Sequence, residues 1–155
     1  WAQSKAPKVA PAKLLGLWFA KGELKQKEVD MYIEGHKHFK NFNDVEDRVV
    51  WSYVYKELSK IPMVFSINIE SNWKIKDTFL CERLTKFTVS LVSKPDASIV
   101  PPMMVAKVME GLQKAFQRQR DAKREHCNSI RLVTPKTFHR KDGASSMVTK
   151  FNRLN

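Results

Sequence analysis

Two cysteines, Cys81 and Cys127, are the most reactive side chains in this 155-residue sequence. Cys127 follows His126 and lies near Lys123 and Arg124, and neighbouring cations favour the reactive thiolate form of a cysteine. Cysteine catalysis also requires a base that is close in space, which adjacency along the chain does not provide. We therefore favour a structural role. The two residues could form one disulfide or remain two buried thiols, because their spacing alone cannot bring them within bonding distance.

Motifs for metal, cofactor or enzyme chemistry are not found in the sequence. His36 and His38 are two residues apart and would point to different faces of a helix, so we do not expect a zinc site. There is no glycine-rich phosphate loop, no H-E-x-x-H and no G-x-S-x-G. Glu46, Glu57 and Glu110 occur among lysines, where pairing on a helix surface explains them. We expect no catalytic residue, no metal and no cofactor, and hence a non-enzymatic protein.

The charge of the chain is strongly positive and unevenly distributed. It has 28 Lys and Arg against 16 Asp and Glu, a net charge of +12, yet 43% of its residues are apolar. From Gln117 onward there are ten Lys or Arg and three Asp or Glu. A disordered polybasic tail would lack the apolar residues. We therefore expect a folded protein whose field attracts an anionic partner. The chain begins with Trp1 instead of Met, which we interpret as processing or trimming.

The first half of the chain is predicted to be helical. Residues 1–12 are expected to form an extended arm, followed by a first helix from about Pro11 to His38. Asn43 and Glu46 have the spacing of a capping box and predict the start of a second helix. Its apolar stripe would comprise Val50, Val54, Leu58 and Ile61, and Pro62 would end or kink it. The segment 63–73 is compatible with a helix or a short strand, and we favour the helix.

Two further helices are predicted in the second half. The third begins near Asp77, whose carboxylate can cap it, and runs to about Val92. The fourth begins at Pro101 and Pro102 and buries an apolar stripe that ends at Phe116, and the basic segment 117–126 would continue this helix or form a loop. Residues 127–155 are expected to form an irregular basic tail. The sequence thus predicts one all-α domain over residues 1–155, an up-and-down helical bundle with an N-terminal arm and a C-terminal tail.

Aromatic and methionine side chains interspersed with Lys and Arg are the best candidates for a binding surface. An exposed apolar patch with a cationic border can insert into a membrane interface while the cations contact lipid phosphates. The same combination can bind single-stranded nucleic acid by stacking and charge. For Trp18 and Trp73 a core position is equally expected. The predicted surface comprises Trp18, Phe19, Trp73, Met103, Met104, Lys107, Lys114, Arg118, Arg120, Lys123, Arg124, Arg131, Lys136, Arg140 and Lys141.

Three segments give the sequence a resemblance to a known family. They are MYIEGH (31–36), NDVEDRVVWSYVYKEL (43–58) and SIVPPMMVAKVMEGLQK (98–114). Their order and pattern resemble the abalone sperm acrosomal proteins, the egg-lysin family. Lysins are shorter and lack the cysteine pair and the long basic C-terminal segment. The chain is more similar to the 18-kilodalton sperm protein that is paralogous to lysin.

The resemblance implies a secreted protein of the sperm acrosomal vesicle that acts in fertilisation without catalysis. Its partner would be an anionic membrane surface or an egg-envelope glycoprotein, and it would perturb or fuse membranes through a cationic amphipathic surface. The alternative from charge alone is a nucleic-acid-binding structural protein, such as an organellar ribosomal or viral capsid component. The sequence does not define an oligomeric state.

Overall fold

A closed antiparallel β-barrel forms the body of the protein. The computed structural model describes residues 8–56, 61–143 and 147–154. Each strand pairs with the next one along the chain, and the last strand returns to the first. The prediction of an all-α helical bundle is therefore wrong. The elements are β1 (Gly16–Lys25), β2 (Val29–Phe39), β3 (Asp44–Tyr55), β4 (Met63–Lys76), β5 (Phe79–Ser93), α1 (Pro102–Ala122), β6 (His126–Thr134), β7 (Thr137–Lys141) and β8 (Val148–Arg153).

The strand pairing that closes the barrel, between β1 and β8, is much shorter than the pairing between β1 and β2. Only Trp18 with Arg153 and Phe19 with Asn152 are paired there within the described residues, whereas β1 and β2 are paired over ten positions. The second half of β1 thus continues beyond its contact with β8. The strands on this side of the barrel, β6, β7 and β8, are also the shortest of the described strands.

The first two predicted helices are β-strands. The segment assigned to the first helix forms β1 and β2, and the segment after Asn43 forms β3. Val45 is buried and Val49 and Trp51 are half-buried at alternating positions of β3, whereas Val50 points outward and is exposed. Val50 and Val54 are apolar residues on the outer face of the strand. Their i, i+4 spacing is the same as that of an apolar stripe on a helix, which is why a helix was predicted. The density of β-branched and aromatic residues in 49–55 favours a strand instead.

The residues read as helix caps, Asn43 and Asp77, lie in the turns between β2 and β3 and between β4 and β5. The side-chain oxygen of Asn41 accepts hydrogen bonds from the backbone N–H groups of Asn43 (2.8 Å) and Asp44 (2.7 Å), which closes the turn between β2 and β3. Asp77 has a φ of 57° and lies in the two-residue connection between β4 and β5. Asn and Asp are favoured in helix caps and in tight turns for the same reason, namely that their short polar side chains bond nearby backbone groups.

The segment 63–73 and the third predicted helix form the longest hairpin of the barrel. Met63, Phe65 and Ile67 are buried at every second position of β4, which is the period of a strand. The preference for a helix over 63–73 is therefore wrong, and so is the helix from Asp77 to Val92, which is β5.

The fourth predicted helix is present as α1, and it extends six residues beyond Phe116. The predicted irregular tail, in contrast, folds into β6, β7 and β8. Each of these strands buries an apolar residue in the barrel, namely Ile130, Phe138 and Phe151. In the predicted arm, residues 1–7 lie outside the described part of the chain, while Val9 is buried and 11–13 form a 3-10 turn.

Two separate apolar cores lie inside the barrel. The basal core closes one end and is built around Trp18, Phe39, Trp73, Phe138 and Phe151. The rings of Phe138 and Phe151 stack with centroids 4.6 Å apart, and Trp18 meets Phe138 edge-on at 4.7 Å. The helix-side core forms where α1 packs against the inner faces of β3, β4 and β5. In this core the ring of Phe87 of β5 contacts that of Phe116 of α1, with centroids 5.6 Å apart.

A disulfide joins Cys81 of β5 to Cys127 of β6. The two residues are direct partners in the β5–β6 ladder. The bond connects the two strands that flank α1 in sequence, and the structure thereby decides between the pairing alternatives that the sequence left open.

Candidate functional site: the barrel cavity

A cavity of about 570 Å³ lies inside the barrel between the two cores. The basal core contributes Phe151 to its floor, and α1 contributes Phe116 and Gln119 on the opposite side. The walls are formed by small and aliphatic residues of β1 to β5, namely Ala20, Gly22, Gly35, Val49, Ile69 and Leu84. The space is thus enclosed mainly by apolar surface and is bounded by elements distant in sequence.

Small residues on β1 and β2 create the space. Ala20 is paired with Gly35, and Gly22 with Ile33, on neighbouring strands. A Cβ atom added to Gly35 would lie 3.9 Å from Val49 Cγ2, an ordinary contact, and one added to Gly22 would meet nothing within 4 Å. Larger residues at these positions would therefore project into the cavity and reduce its volume.

Lys37, Asp47 and Glu82 form a buried ion cluster in the cavity wall. Lys37 and Asp47 are direct partners on β2 and β3, and Lys37 is only 2% exposed. The ammonium nitrogen of Lys37 lies 3.1 Å from each carboxylate oxygen of Asp47 and also contacts Glu82 of β5. Three strands thus bring one cation and two anions together inside the barrel.

The ion cluster shifts the pKa values of Lys37 and Asp47. Burial by itself lowers the pKa of Lys37, but the charges of Asp47 and Glu82 more than compensate, so that this pKa lies above its ordinary value. The pKa of Asp47 is raised, because burial disfavours its charged form and the neighbouring Glu82 adds repulsion. Lys37 therefore stays protonated at neutral pH, and Asp47 takes up a proton more readily than an exposed aspartate.

Arg140 of β7 is the cation of the cavity that has an unused donor. Its side chain is 24% exposed, and its guanidinium lies over the ring of Phe151, 5.1 Å from the centroid. Among the described residues, its Nε has no hydrogen-bond partner, although Asp142 Oδ1 lies 3.5 Å away. An N–H group in this position is available to an acceptor inside the cavity.

The mouth of the cavity lies at the short seam between β1 and β8. Lining residues that are also exposed mark this opening, and they include Lys21 of β1 together with Val148 and Lys150 of β8. β1 and β8 are paired at Trp18 and Phe19, and Lys21 and Lys150 lie on the two strands beyond these pairs. Two lysines therefore flank the entrance.

The aromatic residues of the predicted binding surface have different environments. Trp18 is 0% exposed and donates its indole N–H to Leu14 O (2.8 Å), and buried Trp73 donates to Asn41 O (2.8 Å). Both belong to the basal core and cannot contact a membrane in this fold. Phe19 is half-buried beside His36. Trp1 and Glu57 lie outside the described residues.

The methionines and cations of that surface lie on several elements. Met103 and Met104, at the start of α1, are 70% and 49% exposed. Two of the cations are not fully exposed: Arg120 packs over the ring of Phe87, 5.3 Å from its centroid, and Arg140 lines the cavity. The exposed set comprises Lys107, Lys114, Arg118, Lys123, Arg124, Arg131, Lys136 and Lys141.

The ion cluster was missed at the sequence level. Lys37, Asp47 and Glu82 are unremarkable charged residues in a chain rich in charge. The available signal was the alternation of Gly35, Lys37 and Phe39, which places a lysine on the same face as a buried aromatic once β2 is known to be a strand. Nothing local connects that lysine to Glu82, because the contact exists only after the barrel closes.

The described residues hold no cluster of three or more His, Cys, Asp or Glu that could bind a metal ion. Within this part of the chain, α1 is not apolar enough to serve as a membrane-spanning helix.

The fold and the cavity define an up-and-down eight-stranded β-barrel with an internal, partly apolar chamber. No known protein family matches the sequence, and no curated protein is significantly similar to it. Its function is therefore argued from the geometry of the cavity.

Proposed function

We propose that the protein binds one small organic molecule inside the barrel, without catalysing a reaction. The observation that supports this proposal most is the 570 Å³ cavity, whose size falls in the range of about 300–1,000 Å³ that is usual for small-molecule sites. Closed barrels of eight strands have an interior that either is filled by side chains or holds one small ligand, as in lipocalins. Here the side chains of the middle layer leave it open.

The composition of the cavity wall supports binding over a simple packing defect. Protein interiors contain few voids larger than a water molecule. Gly22 and Gly35 lie within strands, where glycine costs roughly 0.5–1 kcal/mol relative to alanine. Both positions accept a Cβ without a close contact, so packing does not require glycine there. The small size of these two residues therefore serves to keep the volume of the cavity open.

The same wall supports binding over catalysis. Lys37, one candidate base or nucleophile of this wall, is held by two carboxylates and has a raised pKa. A catalytic lysine needs the opposite, a lowered pKa that provides the neutral amine. The ion cluster therefore acts as a polar part of the wall.

Cavity-filling variants test the proposal. Gly35→Leu and Gly22→Leu place an isobutyl group in the chamber, and Gly111→Leu, on the exposed surface of α1, is the matched control. The probe is Nile red, a neutral apolar dye whose fluorescence increases on leaving water. We expect about tenfold weaker binding in both cavity variants, corresponding to roughly 1.4 kcal/mol, and unchanged binding in the control. Unchanged dye binding in correctly folded cavity variants would exclude the chamber as the site.

Association of α1 with an anionic membrane surface is a second candidate. It is supported by the exposure of Met103 and Met104 next to Lys107, a combination of apolar and cationic side chains suited to a lipid interface. Co-sedimentation with vesicles containing phosphatidylserine tests it, with phosphatidylcholine vesicles as the control. We expect Met103→Ser combined with Met104→Ser to weaken the association. Equal association with both kinds of vesicle would contradict this candidate.

The expectations that rest on the resemblance remain predictions. Secretion, storage in the sperm acrosome, a role in fertilisation and an egg-envelope partner are untested, and so is the nucleic-acid alternative. The helical bundle that the sequence predicted is not the fold of this chain.

A further inference from the structure

We propose that the ligand of the cavity is an amphiphilic monocarboxylate, with its carboxylate bound by Arg140 and its apolar body held against Val49, Ile69 and Leu84. This inference rests on the proposed function, since it specifies the chemical class of the molecule in the chamber. It is carried by the free donor of Arg140, the engagement of the other charges and the position of the entrance.

Arg140 is oriented for an acceptor inside the chamber. Its guanidinium packs over Phe151 at the floor of the cavity, which restricts the rotation of the side chain. Its Nε is without a hydrogen-bond partner among the described residues, and Asp142 is only at the edge of contact, at 3.5 Å. A planar guanidinium can bind a carboxylate through two parallel hydrogen bonds, of which the Nε–H of Arg140 can supply one.

Three other charged groups of the chamber are already engaged with one another. Lys37 directs its ammonium group at both oxygens of Asp47 and at Glu82. The two carboxylates thus have a common cation and are poorly placed to bind a cationic ligand. Arg140 and Asp142 add one charge of each sign to the lining, and the raised pKa of Asp47 allows proton uptake to offset an incoming anion.

The entrance favours an anion. Lys21 and Lys150 are both exposed at the mouth, one on each side of the β1–β8 seam. Charge of one sign at the entrance of a cleft raises the local concentration of ligands with the opposite sign. The net charge of +12 on the whole chain acts in the same direction.

The walls favour an apolar body over a second charged group. Beyond Arg140 and the ion cluster, the lining includes Ala20, two glycines, Val49, Ile69 and Leu84, together with the polar residues Ser71, Gln119, His126, Asp142 and Thr149. A molecule with one acid group and an aliphatic or aromatic remainder satisfies both parts of the site. A neutral apolar molecule would fill the volume but would leave the Nε–H of Arg140 without an acceptor.

A pair of probes that differ only in the acid group tests the inference. cis-Parinaric acid, a fluorescent fatty acid, and its methyl ester are titrated into the full chain. We expect the acid to bind at least about tenfold more tightly than the ester. In Arg140→Gln this preference should disappear, because the acid weakens while the ester is unchanged. Arg131→Gln, an exposed arginine on the neighbouring β6, is the matched control and should retain the preference.

The outcomes separate this inference from the proposed function. If the acid and the ester bind equally to the unmodified protein and Gly35→Leu weakens both, the chamber binds ligands but the carboxylate inference is overturned. If Gly35→Leu affects neither probe, the proposed function itself fails. The comparison of acid with ester needs no variant, so a folding defect in Arg140→Gln would not obscure the result. In that event, Arg140→Lys should keep a reduced preference for the acid.

Discussion

Removal of Lys37 is expected to destabilise the barrel strongly. Lys37 is 2% exposed and is the shared cation of Asp47 and Glu82, so Lys37→Met leaves two buried carboxylates without their direct partner. Breaking a buried ion pair by removing one member costs about 3–5 kcal/mol. Arg140 lies near enough to lower the pKa of Asp47 and replaces part of the lost charge, which puts the expected cost at about 3 kcal/mol.

Urea and thermal denaturation measure this cost. For a chain of this size, about 3 kcal/mol corresponds to a fall in Tm of about 6–12 °C. Lys107→Met, on the exposed face of α1, is the control and should change stability by less than about 0.5 kcal/mol. Combining Lys37→Met with Asp47→Asn and Glu82→Gln removes the uncompensated charges and should recover most of the loss.

The pH dependence of the Lys37→Met variant provides a second check. Without the ammonium group, the pKa of Asp47 rises further above its ordinary value of 3.8. A carboxyl whose pKa is higher in the folded than in the unfolded protein favours unfolding as the pH rises through that interval. The stability of the variant should therefore increase relative to the unmodified protein as the pH falls from about 7 towards 5. A loss below about 1 kcal/mol at neutral pH would refute the reasoning, since it would mean that water screens the cluster.

Two further predictions concern the surface and the disulfide. Lys40 and Arg48 lower the pKa of Glu46, so the stabilisation from its charge is present above its ordinary pKa of 4.5 and is lost as the pH falls through the lower, folded value. Glu46→Gln should accordingly be less stable at about pH 7 and should converge with the unmodified protein at about pH 3, as read from urea midpoints; a constant difference would contradict this assignment. Replacing both Cys81 and Cys127 by Ser opens a link across 46 residues and should cost about 4 kcal/mol in the chain-entropy estimate, seen by denaturation without reductant; a cost under about 1 kcal/mol would argue against that estimate.

The sequence predicted α1 correctly because its signals act locally. Two prolines open the helix, and the residues after Val108 are mostly unbranched. The strands failed for a different reason. Apolar residues such as Val50 and Val54 lie on the outer face of the barrel, so an i, i+4 spacing occurs by chance in a segment that is a strand. The turn residues were noticed but were ambiguous, because the asparagine of a helix cap and that of a hairpin turn are chemically the same.

The site could be predicted only in fragments. Arg140 was singled out, but as a surface cation, because its segment was expected to be an irregular tail. Lys37, Asp47 and Glu82 come from three strands, and their proximity follows from closure of the barrel and not from their spacing. The cavity exists because Gly35 and other small residues leave space inside the barrel. No local pattern in the sequence reveals that space.

The adjacency of β1 and β8 has a consequence for biosynthesis. While the chain is being made, β1 can pair with β2, but its other edge has no partner until β8 has left the ribosome. An unpaired edge of this kind is a template for pairing with another chain. Translation that stops before Val148 would therefore release a product prone to aggregate, and chaperone binding to nascent chains should persist until the last strand emerges.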